Sequence, residues 1–178
     1  YPGFELEPSG SVVYLPAEFP GSLAEIKTRS EDTLWLFLPH PTINLEHLDM
    51  VQMALDIQSG SKRVDEHYAG VQIPKVDFSV KPDLSFLLGA DTHDQNGAYW
   101  FIAQVFQQFK FRMNEEGARA RVATGIAVMR GASFAPVKLV FNRPFYGWFT
   151  QEGIELPMAV FYADFDSWME PTGTLDEL

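Results

Sequence analysis

The stretch from Tyr99 to Met113 constrains the fold most, because apolar and polar residues alternate along it. One face carries the apolar residues Tyr99, Phe101, Ala103, Val105, Phe109, Phe111 and Met113. The other face carries Gln104, Gln108, Lys110 and Arg112. A period of two predicts a β-strand with one buried face, and this strand is long by ordinary standards. The 15 Phe, 6 Tyr and 4 Trp in a chain of 178 residues also favour sheet over helix.

Short apolar runs predict further strands. They lie at residues 11–15, 23–27, 33–38, 138–141, 145–149 and 156–165. The first group, which is interrupted by prolines and a polar turn, is expected to form hairpins. The last two runs flank a turn at 151–153 and are expected to form a central hairpin. Residues 71–80 alternate with a change of phase at Pro74, and a proline there predicts an edge strand or a bulge because it cannot donate to the ladder.

The sequence predicts one clear helix. Its apolar stripe consists of Leu45, Leu48, Val51 and Leu55, at spacings of three and four. Thr42 or Asn44 can cap its start and Gly60 can end it. Residues 84–88 could form one helical turn, and polar loops are predicted at 59–66 and 89–97. No linker divides the chain into domains.

Charge and composition exclude several classes of function. The net charge is −11 and the isoelectric point is near 4.7, so the chain repels phosphate backbones and a nucleic-acid partner is not expected. No apolar run approaches the roughly 18 residues that cross a bilayer, so a membrane partner is not expected either. The absence of cysteine excludes disulfides, thiolate catalysis and cysteine metal sites.

The sequence contains no recognisable catalytic constellation. No glycine-spaced phosphate loop and no G-x-S-x-G elbow occurs. The four histidines, His40, His47, His67 and His93, lack metal-ligand spacing. Asp91-x-His93-Asp94 is the one local cluster that suggests a metal, and a polar loop explains it equally well, as it does for residues 65–67. We therefore expect a protein that is not an enzyme and has no catalytic residues, metal or cofactor.

Residues 114–135 form an unusual segment directly after the predicted long strand. Its even positions are small or β-branched and uncharged: Ala118, Ala120, Val122, Thr124, Ile126 and Val128. Its odd positions include Arg119 and Arg121. This alternation suits a strand with one buried face and one face that keeps two arginines in water. Gly117 gives the backbone freedom that a change of direction needs. A permanent strand in an ordinary antiparallel sheet fits the same pattern.

Four short motifs, in order, resemble the serpin family. Residues 114–117, Asn-Glu-Glu-Gly, followed by Ala118, Ala120 and Thr124, resemble the proximal hinge of the serpin reactive-centre loop. Residues 141–145, Phe-Asn-Arg-Pro-Phe, resemble the motif that opens the next core strand. Residues 71–78 are similar to the strand pair before the hinge strand, and residues 157–171 are similar to the C-terminal strand with its closing proline.

The resemblance implies a fold and a place within it. It covers nearly the whole chain but only the C-terminal half of a serpin. The expected fold is α+β, of serpin type, with mixed, mostly antiparallel sheets and few helices. Residues 1–178 would be the C-terminal portion of a single serpin domain, with the reactive-centre loop at 114–135 and its hinge at 114–118.

The sequence also departs from the family pattern. Ala163-Asp164 stands where the family usually has Gly-Arg or Gly-Lys. The stretch 84–97 is shorter than the family's helical segment. Arg119 and Arg121 replace residues that are usually acidic or small.

The resemblance further implies a suicide-substrate inhibitor of serine proteases. In serpins the protease forms an acyl-enzyme with the loop and cleaves it, and the freed hinge side inserts into the main sheet. The hinge and insertion residues here would be Glu115, Glu116, Gly117, Ala118, Ala120, Val122 and Thr124. Since the even positions carry no charge, insertion would bury none, which favours an inhibitory member. A non-inhibitory binding or carrier protein of the same fold is the alternative.

The tip of the segment would select the protease. Arg130 lies thirteen positions after Gly117, one short of the commonest serpin spacing, and twelve before Asn142, which fits serpins with an arginine reactive centre. The resemblance therefore implies Arg130–Gly131 as the scissile bond. An arginine there implies a trypsin-like protease. Gly131–Ala132 and Met129–Arg130 are competing bonds, and Arg130 as a solvated loop cation is the remaining interpretation.

A second expected partner follows from the long strand. An open edge at residues 99–113 would invite aggregation, and this chain has few strands to cover both edges. We therefore expect the N-terminal half of a serpin domain as a partner, on the same polypeptide or on a second chain. The compartment is not specified by the sequence, and an extracellular location is suggested by the family resemblance alone.

Overall fold

The structure is a computed structural model that describes residues 1–7, 10–28, 32–43, 49–64, 68–81, 83–105, 107–114 and 137–171. Its strands are β1 (Gly3–Leu6), β2 (Ser11–Pro16), β3 (Gly21–Lys27), β4 (Thr33–Pro39), β5 (Ser61–Arg63), β6 (Tyr68–Pro74), β7 (Val76–Val80), β8 (Asp91–His93), β9 (Tyr99–Phe101), β10 (Phe109–Met113), β11 (Val137–Val140), β12 (Phe145–Thr150) and β13 (Ala159–Ala163). Helix α1 is Met50–Ser59, and 3₁₀ turns lie at Ser85–Leu87 and Phe165–Ser167. No helix in these ranges is long and apolar enough to cross a membrane.

The largest sheet has six strands in the order β13-β12-β4-β3-β2-β5, with every neighbouring pair antiparallel. The hairpins predicted for the first forty residues and for residues 145–165 are confirmed. The second hairpin was predicted to be central, and this was wrong, because β13 is the end strand of the sheet among the described strands. In β4 six consecutive residues are buried, from Thr33 to Leu38. The buried run is continuous, not alternating, because apolar residues cover β4 on both faces of the sheet. The predicted polar loop 59–66 also contributes strand β5, which pairs with β2.

Two apolar clusters lie on opposite faces of this sheet. On one face Trp35, Phe37 and Trp148 pack with Met53 and Ile57 of α1. On the other face, residues of β2, β3 and β4 pack with residues of β1, β6, β7 and β10. Side chains alternate between the two clusters along each strand, as the pleat requires.

Helix α1 begins later than the sequence predicts. Asp49 is its N-cap, and its Oδ1 accepts hydrogen bonds from the backbone N–H of Val51 and Gln52 at 2.9 and 3.1 Å. The buried residues are Met53, Ala54 and Ile57, whereas Val51 and Leu55 are half-buried. For its two described members, Val51 and Leu55, the predicted stripe was therefore on the wrong face, because the same three-and-four spacing recurs at 53, 54 and 57. Asn44, Leu45 and Leu48 lie outside the described residues, and Gly60 ends the helix as expected.

A second sheet has the order β1-β6-β11, with β1 antiparallel and β11 parallel to β6. Strand β6 is therefore the middle strand, and it pairs on both sides at residues 71–72. The pairing with β11 stops there, so among the described residues Pro74 pairs with Gly3 alone, which agrees with the predicted edge position. Pro74 is the last residue of β6, where a missing N–H is tolerated. After Lys75, whose N–H donates to the carbonyl of Pro2, the chain enters β7 in a different sheet.

Residues 99–113 do not form one long strand. Strand β9 ends at Phe101 and pairs with β8 in a separate two-stranded sheet, and β10 begins only at Phe109. Tyr99 and Phe101, which the alternation assigns to a buried face, are 59% and 58% exposed. The prediction failed because period-two alternation indicates that side chains point to alternate faces of a strand. It does not indicate whether another element packs on the apolar face. Strand β8 also replaces part of the predicted loop 89–97.

Candidate functional site

Strand β10 leads directly into the segment that the sequence singles out. It pairs with β7 in antiparallel register, with Phe111 opposite Phe78 and Met113 opposite Val76. Among the strands that the structure describes, β7 is the one neighbour of β10. The opposite edge of β10 therefore has no strand partner within the described ranges.

The inner face of β10 is fixed by an aromatic cluster. Phe111 is 6% exposed, and its ring centroid lies 4.4 Å from that of Phe161 and 5.7 Å from that of Phe149. Phe149 belongs to β12 and Phe161 to β13, and both strands are part of the large sheet. Burial of a phenylalanine of this kind stabilises a fold by roughly 1.5–3 kcal/mol. Phe111 thus packs β10 against the large sheet.

The outer face of β10 is tied to β7 by polar contacts. The guanidinium of Arg112 lies 3.5 Å from the carboxylate of Asp77, its cross-strand partner. The Nε2 of Gln108 donates to Oγ of Ser79 at 2.9 Å. These contacts fix the register of β10, because a slip by one residue would separate both pairs.

Strand β11 is the first described element after residues 115–136. Lys138 of β11 reaches across β6 to Glu5 of β1, with Nζ 2.8 Å from the carboxylate. Phe141 follows, donates its N–H to the carbonyl of Gln72 and stacks edge-on against Phe145. The predicted core strand after residues 141–145 is confirmed, since β12 begins at Phe145. Nε of Arg143 in this motif donates to the carbonyl of Pro39 at 2.8 Å.

The strand pairings fix where the segment leaves and re-enters the sheets. It leaves after Met113, beside Val76, and re-enters at Val137, beside Tyr68. Tyr68 and Val76 are eight residues apart, so at most about 26 Å of extended chain separates them, and each neighbouring strand adds about 5 Å. The 22 residues from 115 to 136 reach up to about 75 Å. The segment is therefore about twice as long as the connection requires.

The predicted hinge, insertion and scissile residues fall on this segment. Glu115, Glu116, Gly117, Ala118, Ala120, Val122, Thr124, Arg130 and Gly131 all lie outside the described residues. Arg119, Arg121 and the competing bonds next to Arg130 lie there too. Their assignments remain predictions, and what the structure describes is the frame on both sides of them.

The possible metal cluster at residues 91–94 has a local role. Hydrogen bonds from the backbone N–H groups of Ala98 and Asn96 to the carboxylate of Asp94 hold its pKa below the ordinary 3.8. The indole Nε1 of Trp100 also approaches this carboxylate, at 3.4 Å. Asp94 thus closes the turn between β8 and β9, and no group of three possible metal ligands occurs within the described ranges. The other proposed cluster, residues 65–67, lies outside them.

The exposed aromatic residues of β9 were missed by the sequence prediction. Tyr99, Trp100 and Phe101 are each about 60% exposed. Asp94 and Gly97 are the sequence signal that could have predicted this hairpin, because both are typical turn residues. Gly97 has a φ of +80°, which suits glycine in a hairpin turn. That turn makes residues 91–101 a self-contained hairpin and not the start of a long strand.

Comparisons with known proteins identify the fold. No protein-family model and no curated protein matches the sequence. Solved structures do match, among them mouse protein-Z dependent protease inhibitor, with a TM-score of 0.56 at 16% identity over 85% of this chain. The thermophilic serpin tengpin in its native state matches with a TM-score of 0.60 at 15% identity over 90% of this chain. Native protease nexin-1 with heparin matches with a TM-score of 0.50 at 17% identity over 83%.

These neighbours are serpins, so the chain has a serpin fold. The prediction of an α+β, mostly antiparallel serpin-like fold with few helices is confirmed. The chain spans only 41–45% of the length of the matched structures. This partial coverage agrees with the prediction that it corresponds to the C-terminal half of such a fold.

Proposed function

We propose that this chain is the C-terminal portion of a serpin domain that inhibits trypsin-like serine proteases as a suicide substrate. In this proposal residues 114–135 are the reactive-centre loop and Arg130–Gly131 is the scissile bond. After cleavage, the stretch 118–128 inserts beside β10. The observation that carries the proposal is the edge of β10 without a described strand partner, followed at once by a segment that is itself patterned as a strand and is longer than its connection needs.

Insertion would add backbone hydrogen bonds along the edge of β10. About ten new ladder hydrogen bonds at 0.5–1.5 kcal/mol each would contribute roughly 5–15 kcal/mol before entropy is counted. The uncharged even positions of the segment would meet the apolar face of β10, at the cross-strand spacing of about 5 Å. A single unpaired charge on that face would offset much of the gain.

The names of two neighbours support the protease as a partner. The mouse protein is named as a protease inhibitor, and the thermophilic protein is named as a serpin. A protease with a carboxylate in its specificity pocket would accept Arg130. No catalytic role is assigned to this chain, because an inhibitor of this class supplies the bond that the protease attacks.

We also infer that the N-terminal half of the domain covers the remaining edges, on the same polypeptide or on a second chain. Strand β13 lies at the end of the large sheet, and the loop before it exposes Ile154, Leu156 and Met158 by 49%, 58% and 45%. Apolar residues exposed beside a sheet edge are typical of an interface.

The experiment that tests the proposal uses the polypeptide that contains this chain at its natural length. We would incubate it with a trypsin-like and an elastase-like protease and analyse the products by SDS gel and mass spectrometry. The expected result is a band that survives SDS with the trypsin-like enzyme, and a released fragment that begins at Gly131. A cut two or more residues away refutes the bond, and cleavage without a covalent band indicates the non-inhibitory binding protein instead.

A variant pair sharpens this test. Val122→Asp would place a charge on the face that is buried on insertion, and we expect it to convert the inhibitor into a substrate that is cleaved without a covalent band. Arg121→Glu changes the charge by more but on the opposite face, so the covalent band should remain. Equal loss in both variants would contradict the assigned faces.

A further inference from the structure

The hairpin formed by β8, β9 and their turn, residues 91–101, exposes an aromatic surface that the proposed inhibitory function does not use. Every residue from 88 to 104 is exposed, so the hairpin carries no buried side chain of its own. An isolated two-stranded ribbon is marginally stable in water, and aromatic rings exposed in a group are typical of an interaction site.

The register assigns the side chains of the hairpin to two faces. Asp91 lies opposite Phe101, and His93 lies opposite Tyr99. Residues directly opposite one another share a face, so these four form one surface. On it the rings of Tyr99 and Phe101 are 6.0 Å apart and those of His93 and Tyr99 are 5.3 Å apart. The surface is therefore a short row of rings with a carboxylate at one end.

The opposite face is smaller and has the same chemical character. Trp100 is 61% exposed and lies opposite Thr92, and its indole N–H points to the carboxylate of Asp94 at 3.4 Å. An open cleft of about 260 Å³ is lined by both strands, including Trp100 and Ile102. Both faces thus combine exposed rings with a carboxylate.

The charge of this region selects the occupant. Residues 82–109 contain three carboxylates, Asp83, Asp91 and Asp94, and no lysine or arginine. Two copies of this hairpin facing each other would bring like charges together, with no lysine or arginine of residues 82–109 to pair with them, so the hairpin does not complement itself. A cationic segment would instead be attracted. Arginine fits best, because a guanidinium stacks on aromatic faces and pairs with a carboxylate in two hydrogen bonds.

We propose that the hairpin 91–101 is a docking site for an arginine-containing basic segment of a partner protein. The guanidinium lies over the rings of Tyr99 and Phe101 and pairs with the carboxylate of Asp91. The site is separate from the proposed inhibitory segment, so it would operate whether or not the chain inhibits a protease.

The test uses the natural-length polypeptide, its Trp100→Phe variant as the blank for all other tryptophans, and synthetic peptides of equal length that are rich in arginine, lysine or glutamate. Trp100 reports binding, because Trp35, Trp148 and Trp168 are 9%, 1% and 6% exposed and acrylamide quenches exposed indoles. We expect the arginine peptide to shield Trp100 from acrylamide, the lysine peptide to do so more weakly, and the glutamate peptide to have no effect. An arginine peptide that binds no better than the glutamate peptide overturns the proposal.

Matched variants separate the site from general charge attraction. Asp91→Asn and Tyr99→Thr should each weaken binding of the arginine peptide about tenfold. Glu152→Gln and Tyr162→Thr remove an exposed carboxylate and an exposed ring elsewhere, and they should change it by less than about twofold. Equal weakening by both sets overturns the proposal.

Three other occupants would be recognised in the same experiment. A dimer that forms without peptide and is lost in Tyr99→Thr would assign the hairpin to a second copy. An increase in quenching of Trp100 in Arg119→Gln/Arg121→Gln without peptide would assign it to the chain's own segment. A third occupant is the inferred N-terminal half of the domain: if Trp100 of the natural-length polypeptide is already shielded from acrylamide without peptide, the hairpin is assigned to that half. Each of these results overturns docking of a separate partner protein.

Discussion

At the scale of single residues, Gly147 shows how tightly the large sheet is packed. A Cβ at this position would lie 2.7 Å from Cε1 and Cε2 of Phe161, the residue opposite it in β13. The ring of Phe161 cannot move away freely, because it packs against Phe111 and Phe149. We expect Gly147→Ala to lower the free energy of unfolding by about 1–3 kcal/mol, as measured by urea denaturation.

A double-mutant cycle tests whether Phe161 is the cause. In a Phe161→Leu background the ring is absent, so adding Gly147→Ala should cost less than about 1 kcal/mol more. Additive losses would show that the strain lies elsewhere in the sheet.

Asp94 gives the turn of the hairpin a dependence on pH. Its pKa is lowered by the backbone N–H of Ala98 first and that of Asn96 second. A lowered pKa in the folded state means that the stabilisation is complete above the unfolded value of 3.8 and is lost as the pH falls through the folded value. We expect the amide protons of Asn96 and Ala98 to shift in NMR spectra and exchange faster below pH 3.8.

Asp94→Asn is the control for this transition. It removes the titrating group, so the low-pH change at residues 96 and 98 should disappear. A change that persists in the variant would assign the transition to another group.

At the scale of elements, the start of α1 depends on one side chain. Asp49 accepts hydrogen bonds from two otherwise unpaired N–H groups of the first turn. We expect Asp49→Ala to lower the free energy of unfolding by about 0.5–2 kcal/mol, whereas Asp49→Ser should keep most of the stability, because serine also caps helices. Thermal melts of both variants measure this, and equal losses would contradict the assigned cap.

Sequence patterns predicted strands best in the six-stranded sheet, where apolar clusters cover both faces. The runs 33–38 and 145–149 form strands of the six-stranded sheet as expected, whereas only Ala159–Ala163 of the run 156–165 does so. The alternation of 99–113 was misleading because β9 and β10 keep the same phase, although the described residues between them, 102–105 and 107–108, belong to neither strand. Periodicity is local, and which sheet a strand joins depends on contacts far away in sequence.

The helix illustrates the same limit. The stripe of Leu45, Leu48, Val51 and Leu55 has valid helical spacing, but the face that packs is decided by Trp35, Phe37 and Trp148 on the sheet. For the candidate site, the sequence predicted β10, β11 and the start of β12, which frame the segment 115–136. The segment's own residues remain predictions, because the described structure does not include them.

At the scale of the whole molecule, uncovered edges predict association of this chain when it is produced alone. Leu156 is 58% exposed beside the edge strand β13, and the outer edge of β10 has no described strand partner. We expect oligomers that grow with concentration in analytical ultracentrifugation. Leu156→Lys should reduce them, whereas Leu15→Lys, at a 43% exposed position in β2, which has a neighbouring strand on each side, should not. A stable monomer at high concentration would contradict the need for an N-terminal partner.

The central claim is that the segment after β10 has lower free energy as a strand in the sheet than outside it. The most direct measurement is the melting temperature of the natural-length polypeptide before and after a single cut at Arg130. If residues 118–128 insert beside β10, the melting temperature rises after cleavage, because new ladder hydrogen bonds form only in the cut molecule. A melting temperature that stays the same or falls would contradict insertion and, with it, the inhibitory function.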